Sequence, residues 1–158
     1  MIVNLPSELE QALTARYRDF ADPWHGWVMP AYEAAPYKAI VEDIALLGAE
    51  VSDNTDLNYD VACSYFVRRG GVLVVAELSL VGPYAVVLDV EAAGPEGQAT
   101  SLAQDVLGVL RAHGLHVMSP DVLRTPVNMP FVNVGPGQGT LYQALIADTP
   151  SPVSGFVA

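Results

Sequence analysis

The chain has 158 residues, 51% hydrophobic and 16% charged, with a single cysteine. That balance predicts one domain with a large apolar core, the reverse of a disordered chain. Its 18 acids against 7 bases give a net charge of −11. Such a surface lacks the basic stripe that nucleic-acid binding needs and disfavours docking on anionic membranes.

No apolar run approaches the ~20 residues of a membrane span. The opening MIVNLPSELE has no basic leader, so a cytoplasmic protein is expected. Cys63 alone can form neither an internal disulfide nor a structural metal cluster, and no cofactor is expected. The charge is uneven: residues 1–60 carry 11 acids and 3 bases, and residues 61–158 carry 7 and 4. Within 42–60 the acids Glu42, Asp43, Glu50, Asp53, Asp56 and Asp60 have no basic residue among them. This stretch reads either as a solvated loop or as a face that attracts a basic partner.

Along the chain, Ser7 and Glu10 have capping-box spacing. Leu9, Ala12, Leu13, Tyr17 and Phe20 then recur at helical spacing, predicting a helix over 8–20 closed by Asp22-Pro23. The stretch ADPWHGWVMPAYE follows, holding Trp24, His25, Gly26 and Trp27. A second helix is expected from Pro36, with Tyr37, Ile40, Val41, Ile44 and Leu47 inward and Gly48 just past its end. From 57 the period becomes two: Leu57, Tyr59, Val61, Cys63, Tyr65 and Val67 alternate with more polar residues, predicting a strand over 57–68. RRGG at 68–71 signals a hairpin, and 72–80 and 84–91 complete an antiparallel meander. A third helix is expected over 99–112, then a short strand LHVMS and an irregular region around Pro120, Pro126 and Pro130. FVNV and TLYQALI read as two strands across GPGQG, with a short helix over 140–147 as the alternative; residues 151–158 read as a loose tail. The order α-α-β-β-β-α-β-β-β specifies one α+β domain over 1–150, an antiparallel sheet of about five to six strands with helices packed on one face.

Chemistry is sparse. His113 and His116 flank Gly114, so they are not expected to share a face for a metal, and His113 suits a helix C-terminus as a cation. Cys63 sits on the apolar face of its strand, which argues against a nucleophile. DLNYD at 56–60 starts like a calcium loop, but Val61 stands where glycine is needed and Val67 where a bidentate glutamate is needed. GPGQG at 135–139 lacks the lysine and the following helix of a phosphate loop. No spacing singles out two acids as a coupled pair, and no catalytic or metal residue is assigned. Recognition of a protein remains. Trp24, Trp27 and Tyr32 are candidate anchors, Asp53, Asp56 and Asp60 the candidate acidic contacts, and Phe66 a further apolar contact. The competing reading puts both tryptophans in the core at a helix–helix corner.

The segments YDVACSYFVRRGGVLVVAELSLVGPYAVVLDV (59–90) and PFVNVGPGQGTLYQALIADT (130–149) resemble the small acidic immunity proteins of bacterial polymorphic-toxin systems, a likeness of style that covers 57–148. The resemblance implies a non-enzymatic inhibitor that caps a basic toxin. It carries no family residue onto this chain. The order of elements also resembles type III secretion chaperone-like domains, which implies a homodimer, although the helix from Pro36 departs from that pattern. A small-ligand binder or enzyme around His25, Asp22 and Tyr32 is the third reading.

Overall fold

Two adjacent glycines set the register of the sheet. Gly70 and Gly71 have φ of 57° and 79°. Positive φ at both central residues makes the mirror-image turn whose twist suits a two-residue hairpin. It joins β2 (Ala62–Arg69) to β3 (Val72–Ser79), zipped from Arg69 opposite Val72 to Ala62 opposite Ser79. This is a computed structural model that describes residues 5–92 and 99–158. The fold is α+β. In chain order it comprises α1 (Ser7–Tyr17), α2 (Val28–Glu33), α3 (Lys38–Ala45), β1 (Glu50–Asp53), β2, β3, β4 (Tyr84–Asp89), α4 (Ser101–Ala112), β5 (His116–Val117), α5 (Pro120–Leu123), α6 (Leu141–Leu145) and β6 (Phe156–Val157).

Strands lie in the order β1-β2-β3-β4-β5, and β6 pairs with another stretch of β4. β3 is central, as its continuous apolarity predicts. The register separates two faces. Val67, Val74, Ala76, Leu78, Ala85 and Val87 form one core with Ile40 and Ile44 of α3 and Leu102, Val106 and Leu110 of α4. Ala62 and Val86, on the opposite face, join Leu9, Leu13 and Tyr17 of α1 and Leu141 and Leu145 of α6. The Tyr17 hydroxyl donates to the Ala144 carbonyl at 2.6 Å and ties α1 to α6 inside this second core. Tyr17→Phe is therefore expected to lower unfolding free energy by about 1–2 kcal/mol, read by urea denaturation, because the carbonyl loses its buried partner.

Several expectations are corrected. The sheet is mixed, since β5 runs parallel to β4. Helices cover both faces of the sheet, because β3 and β4 are apolar on both. The predicted capping box does not form: Pro6 is the N-cap of α1, and its carbonyl accepts from Leu9 and Glu10. α1 stops at Tyr17, before Asp22-Pro23, and α2 follows where only a loop was expected. The acid-rich stretch contains β1, antiparallel to β2. Residues 56–60 are a turn, not the start of a strand: Asp56 accepts from the Asn58 backbone N–H at 3.0 Å, an Asx turn. α5 occupies part of the region expected to be irregular, and of the two readings of 140–147 the helix is the one found, over 141–145 and capped by Thr140 and Gln143. The tail expected to be loose beyond 150 carries β6, with Val157 buried opposite Val87. No helix among the described residues is long and apolar enough to cross a membrane.

Candidate binding site

The corner between α1 and α2 is held under strain. Arg18 has φ 66° and ψ −70°, and the Tyr17 carbonyl accepts from the Asp19 N–H at 2.9 Å. That is a γ-turn with positive φ, costly for a residue with a Cβ. The same carbonyl accepts from the Trp24 N–H at 3.0 Å, so the turn brings Trp24 back beside α1. The Arg18 guanidinium then stacks 3.7 Å from the Trp24 ring centroid. A Cβ on Gly26 would lie 2.6 Å from Trp24 Cε2, so only glycine lets the indole fold back over this position. The two tryptophans consequently have different fates. Trp27 is 5% exposed and packs edge-on against Tyr17, whereas Trp24 is 42% exposed. Trp27, one of the candidate anchors, is thus a core residue, and Trp24 is the one displayed. Gly26→Ala should expel the Trp24 indole and forfeit about 0.5–1 kcal/mol of cation–π attraction, seen as a red-shifted tryptophan emission.

Beside this corner lies a cleft of about 250 Å³. His25 lines it, edge-on to Tyr17 with ring centroids 5.6 Å apart. Val28, Leu57 and Phe131 supply apolar walls, and Asn58 and Gln143, whose amides bond to Asp56 and to Thr140 and Thr149, complete the lining. Two carboxylates enter, Asp60 and Asp148, and no lysine or arginine lines the cleft. Asp148 accepts from the backbone N–H groups of Val132 at 2.8 Å and Asn133 at 3.1 Å, which fixes that wall. Asp60 accepts from the Asp56 N–H at 2.7 Å. Burial raises the Asp60 pKa; the Asp56 N–H opposes that, and the charges of Asp56 and Asp53 reinforce it.

The other acidic candidates adjoin this cleft. Asp53 accepts from the Tyr32 hydroxyl at 2.7 Å and from the Thr55 N–H at 2.8 Å. Burial works against its charge, but the hydrogen bonds from Thr55 and Tyr32 prevail and hold its pKa below the usual value. None of Asp53, Asp56, Asp60 and Asp148 belongs to an ion pair among the described residues, where the pairs are Arg69–Asp105, His113–Asp43 and Arg124–Asp121. The structure therefore joins Tyr32, Asp53, Asp56 and Asp60 into one acidic edge. It does not assemble His25 with Asp22 and Tyr32: Tyr32 is bonded to Asp53, and neither it nor Asp22 lines the cleft with His25.

A carboxyl that the sequence reading passed over lies behind this edge. Glu77 is 7% exposed on β3, and the Tyr142 hydroxyl donates to it at 3.4 Å. Burial, helped by the charge of Asp60, pushes its pKa up to about 7. The charge of Asp60 thus acts on Glu77, a pairing of acids that no spacing in the sequence singles out. The available signal was an acid inside the apolar run VLVVAELSL. Cys63 is buried, and burial pushes its thiol up to about 11, the opposite of an activated nucleophile. Phe66 is half-buried with the Arg68 guanidinium 5.3 Å from its ring centroid. His113 binds Asp43 at 2.6 Å, joining α4 to α3, while His116 lies beside Tyr84. No group of three His, Cys, Asp or Glu side chains among the described residues could hold a metal ion. Compared with protein-family models, curated proteins and solved structures, the chain matches none of them.

Proposed function

We propose that this chain is a non-enzymatic protein-binding domain that takes a lysine or arginine side chain of a basic partner into the Asp60–Asp148 cleft. The observation that carries the reading is a cleft with two carboxylates, apolar walls and no cationic residue of its own beyond His25. Apolar walls suit the aliphatic stem of a long basic side chain, while the carboxylates meet its charged head. The adjoining Asp53 and Asp56 extend the negative field and would speed encounter with a positive surface. Neutralisation of a basic toxin, as an immunity-type inhibitor, is the form of this function that best fits so acidic a chain.

The raised pKa of Asp60 gives the reading a pH signature. A cation beside Asp60 favours its charged form, so binding lowers that pKa and releases a proton. Affinity should rise as pH climbs through the titration of Asp60 and fall below it. The direct test is an NMR titration with a Gly-Lys-Gly peptide, following the side-chain amides of Asn58 and Gln143. Saturable shifts that weaken from low to high salt, and that Gly-Glu-Gly does not produce, are expected. Equal response to both peptides, or none to either, would overturn the proposal.

A further inference from the structure

On the other side of the Trp24–Trp27 segment runs a second groove, of about 570 Å³, a size common for small-molecule sites. No residue lines both it and the Asp60–Asp148 cleft. Its walls are mainly apolar and aromatic, including Trp24, Trp27, Pro30, Tyr37 and Leu80, and its only charged lining residue is Arg16.

Two of the residues that line this groove, Trp27 and Arg16, carry donors without a hydrogen-bond partner among the described residues. Trp27 Nε1 is the only buried side-chain nitrogen or oxygen among the described residues with no hydrogen bond. A buried donor left unsatisfied costs about 1–3 kcal/mol and calls for an explanation. Arg16, half-buried, has its guanidinium 5.2 Å from the Trp27 ring centroid and joins no ion pair among the described residues. In a chain of net charge −11, an arginine facing no carboxylate across an apolar groove points to an anion from outside.

The groove is also pre-built. The Tyr37 hydroxyl donates to the Ser79 carbonyl and lies 3.3 Å from that of Gly82, pinning the start of α3 to the β3–β4 turn. Burial pushes its phenol up to about 12, so this donor keeps its proton at neutral pH. Trp24 is fixed at the mouth by Arg18 and Gly26. Fixed walls at Tyr37 and Trp24 favour binding of a small rigid molecule, and only the cover over Trp27 Nε1, which is closed to solvent, has to part for the anion to reach it.

We infer that this groove binds a small aromatic carboxylate, its anion taken by Arg16 and the Trp27 indole N–H and its ring held among Trp24, Pro30 and Tyr37. The site is independent of the basic-partner reading and stands or falls separately. Phenylacetate is the probe, with benzylamine as the cationic counterpart, and the two indole N–H resonances are the readout. Trp27→Phe assigns the signals by removing one of them. Phenylacetate should move the Trp27 N–H resonance downfield and saturate below about 10 mM, whereas benzylamine should not. Arg16→Met should raise the dissociation constant about tenfold, and Trp27→Phe, followed on the Trp24 signal, should weaken binding as well. A shift that grows linearly without saturating, equal binding of benzylamine, or an unchanged constant in Arg16→Met would each overturn the inference. The benzylamine comparison uses the wild-type chain, so it decides even if a variant fails to fold.

Discussion

Glu77→Gln should stabilise the protein at pH 8 by up to about 3 kcal/mol while changing little at pH 4. Glu77 is buried, and its pKa stands at about 7 against an ordinary 4.5. Between those values the folded chain holds a proton that the unfolded chain has released, so the unfolded state binds fewer protons and stability falls as pH rises. The favourable contribution of the protonated carboxyl is complete below about 4.5 and lost as pH passes through about 7. A shift of this size, at about 1.4 kcal/mol per pH unit, sets the upper figure of about 3 kcal/mol. Glutamine is neutral throughout and keeps an oxygen to accept from Tyr142, so the variant removes the titration and leaves the contact. For a chain of this length the upper figure corresponds to a Tm increase of about 6–12 °C at pH 8. Thermal melts of both proteins from pH 4 to pH 8 check it. A difference independent of pH would mean that Glu77 is not the group that titrates.

The parts legible in the sequence were those whose pattern repeats over several turns or pairs. α3 and α4 carry apolar stripes at helical spacing, and β2 to β4 combine apolar runs with the two glycines of a tight hairpin. Elements too short for a period escaped. α2 has six residues with Pro30 inside it and β1 has four with one apolar residue, whereas β5 was expected as the short strand LHVMS and only its parallel pairing left no trace in two residues. The split between Trp24 and Trp27 was equally invisible, since it depends on the γ-turn at Arg18 and the missing Cβ at Gly26 rather than on composition. The cleft escaped for a topological reason. Asp60 and Asp148 are far apart in the chain, and they meet because the Val61 N–H bonds to the Ile146 carbonyl and the Asp148 N–H to that of Tyr59. The acidic edge, by contrast, was visible as a local run, because Asp53, Asp56 and Asp60 lie close together in sequence.

That acidic edge makes the second large prediction. Replacing Asp53, Asp56 and Asp60 together by asparagine removes three charges, taking the net charge from −11 to −8. Asparagine retains a side-chain oxygen, so the N–H groups of Thr55, Asn58 and Asp56 keep their acceptors and the turns should hold, while the Tyr32 hydroxyl loses its acceptor Oδ2 on residue 53. With a purified basic partner at low salt, the association rate constant should fall about 10- to 100-fold. The dissociation rate should rise by a smaller factor, because the cleft loses the Asp60 charge but keeps Asp148 and the apolar walls. At about 0.5 M salt the two association rates should converge, since screening already removes the long-range field. Asp148→Asn should behave in the opposite manner. Its two oxygens hold the N–H groups of Val132 and Asn133, and an amide can satisfy only one of them well. Loss of that wall should speed dissociation and leave the encounter rate near its original value. Stopped-flow mixing of each variant with the partner separates the two effects. An unchanged association rate in the triple variant would remove the electrostatic basis of the proposed function, whatever Asp148→Asn does.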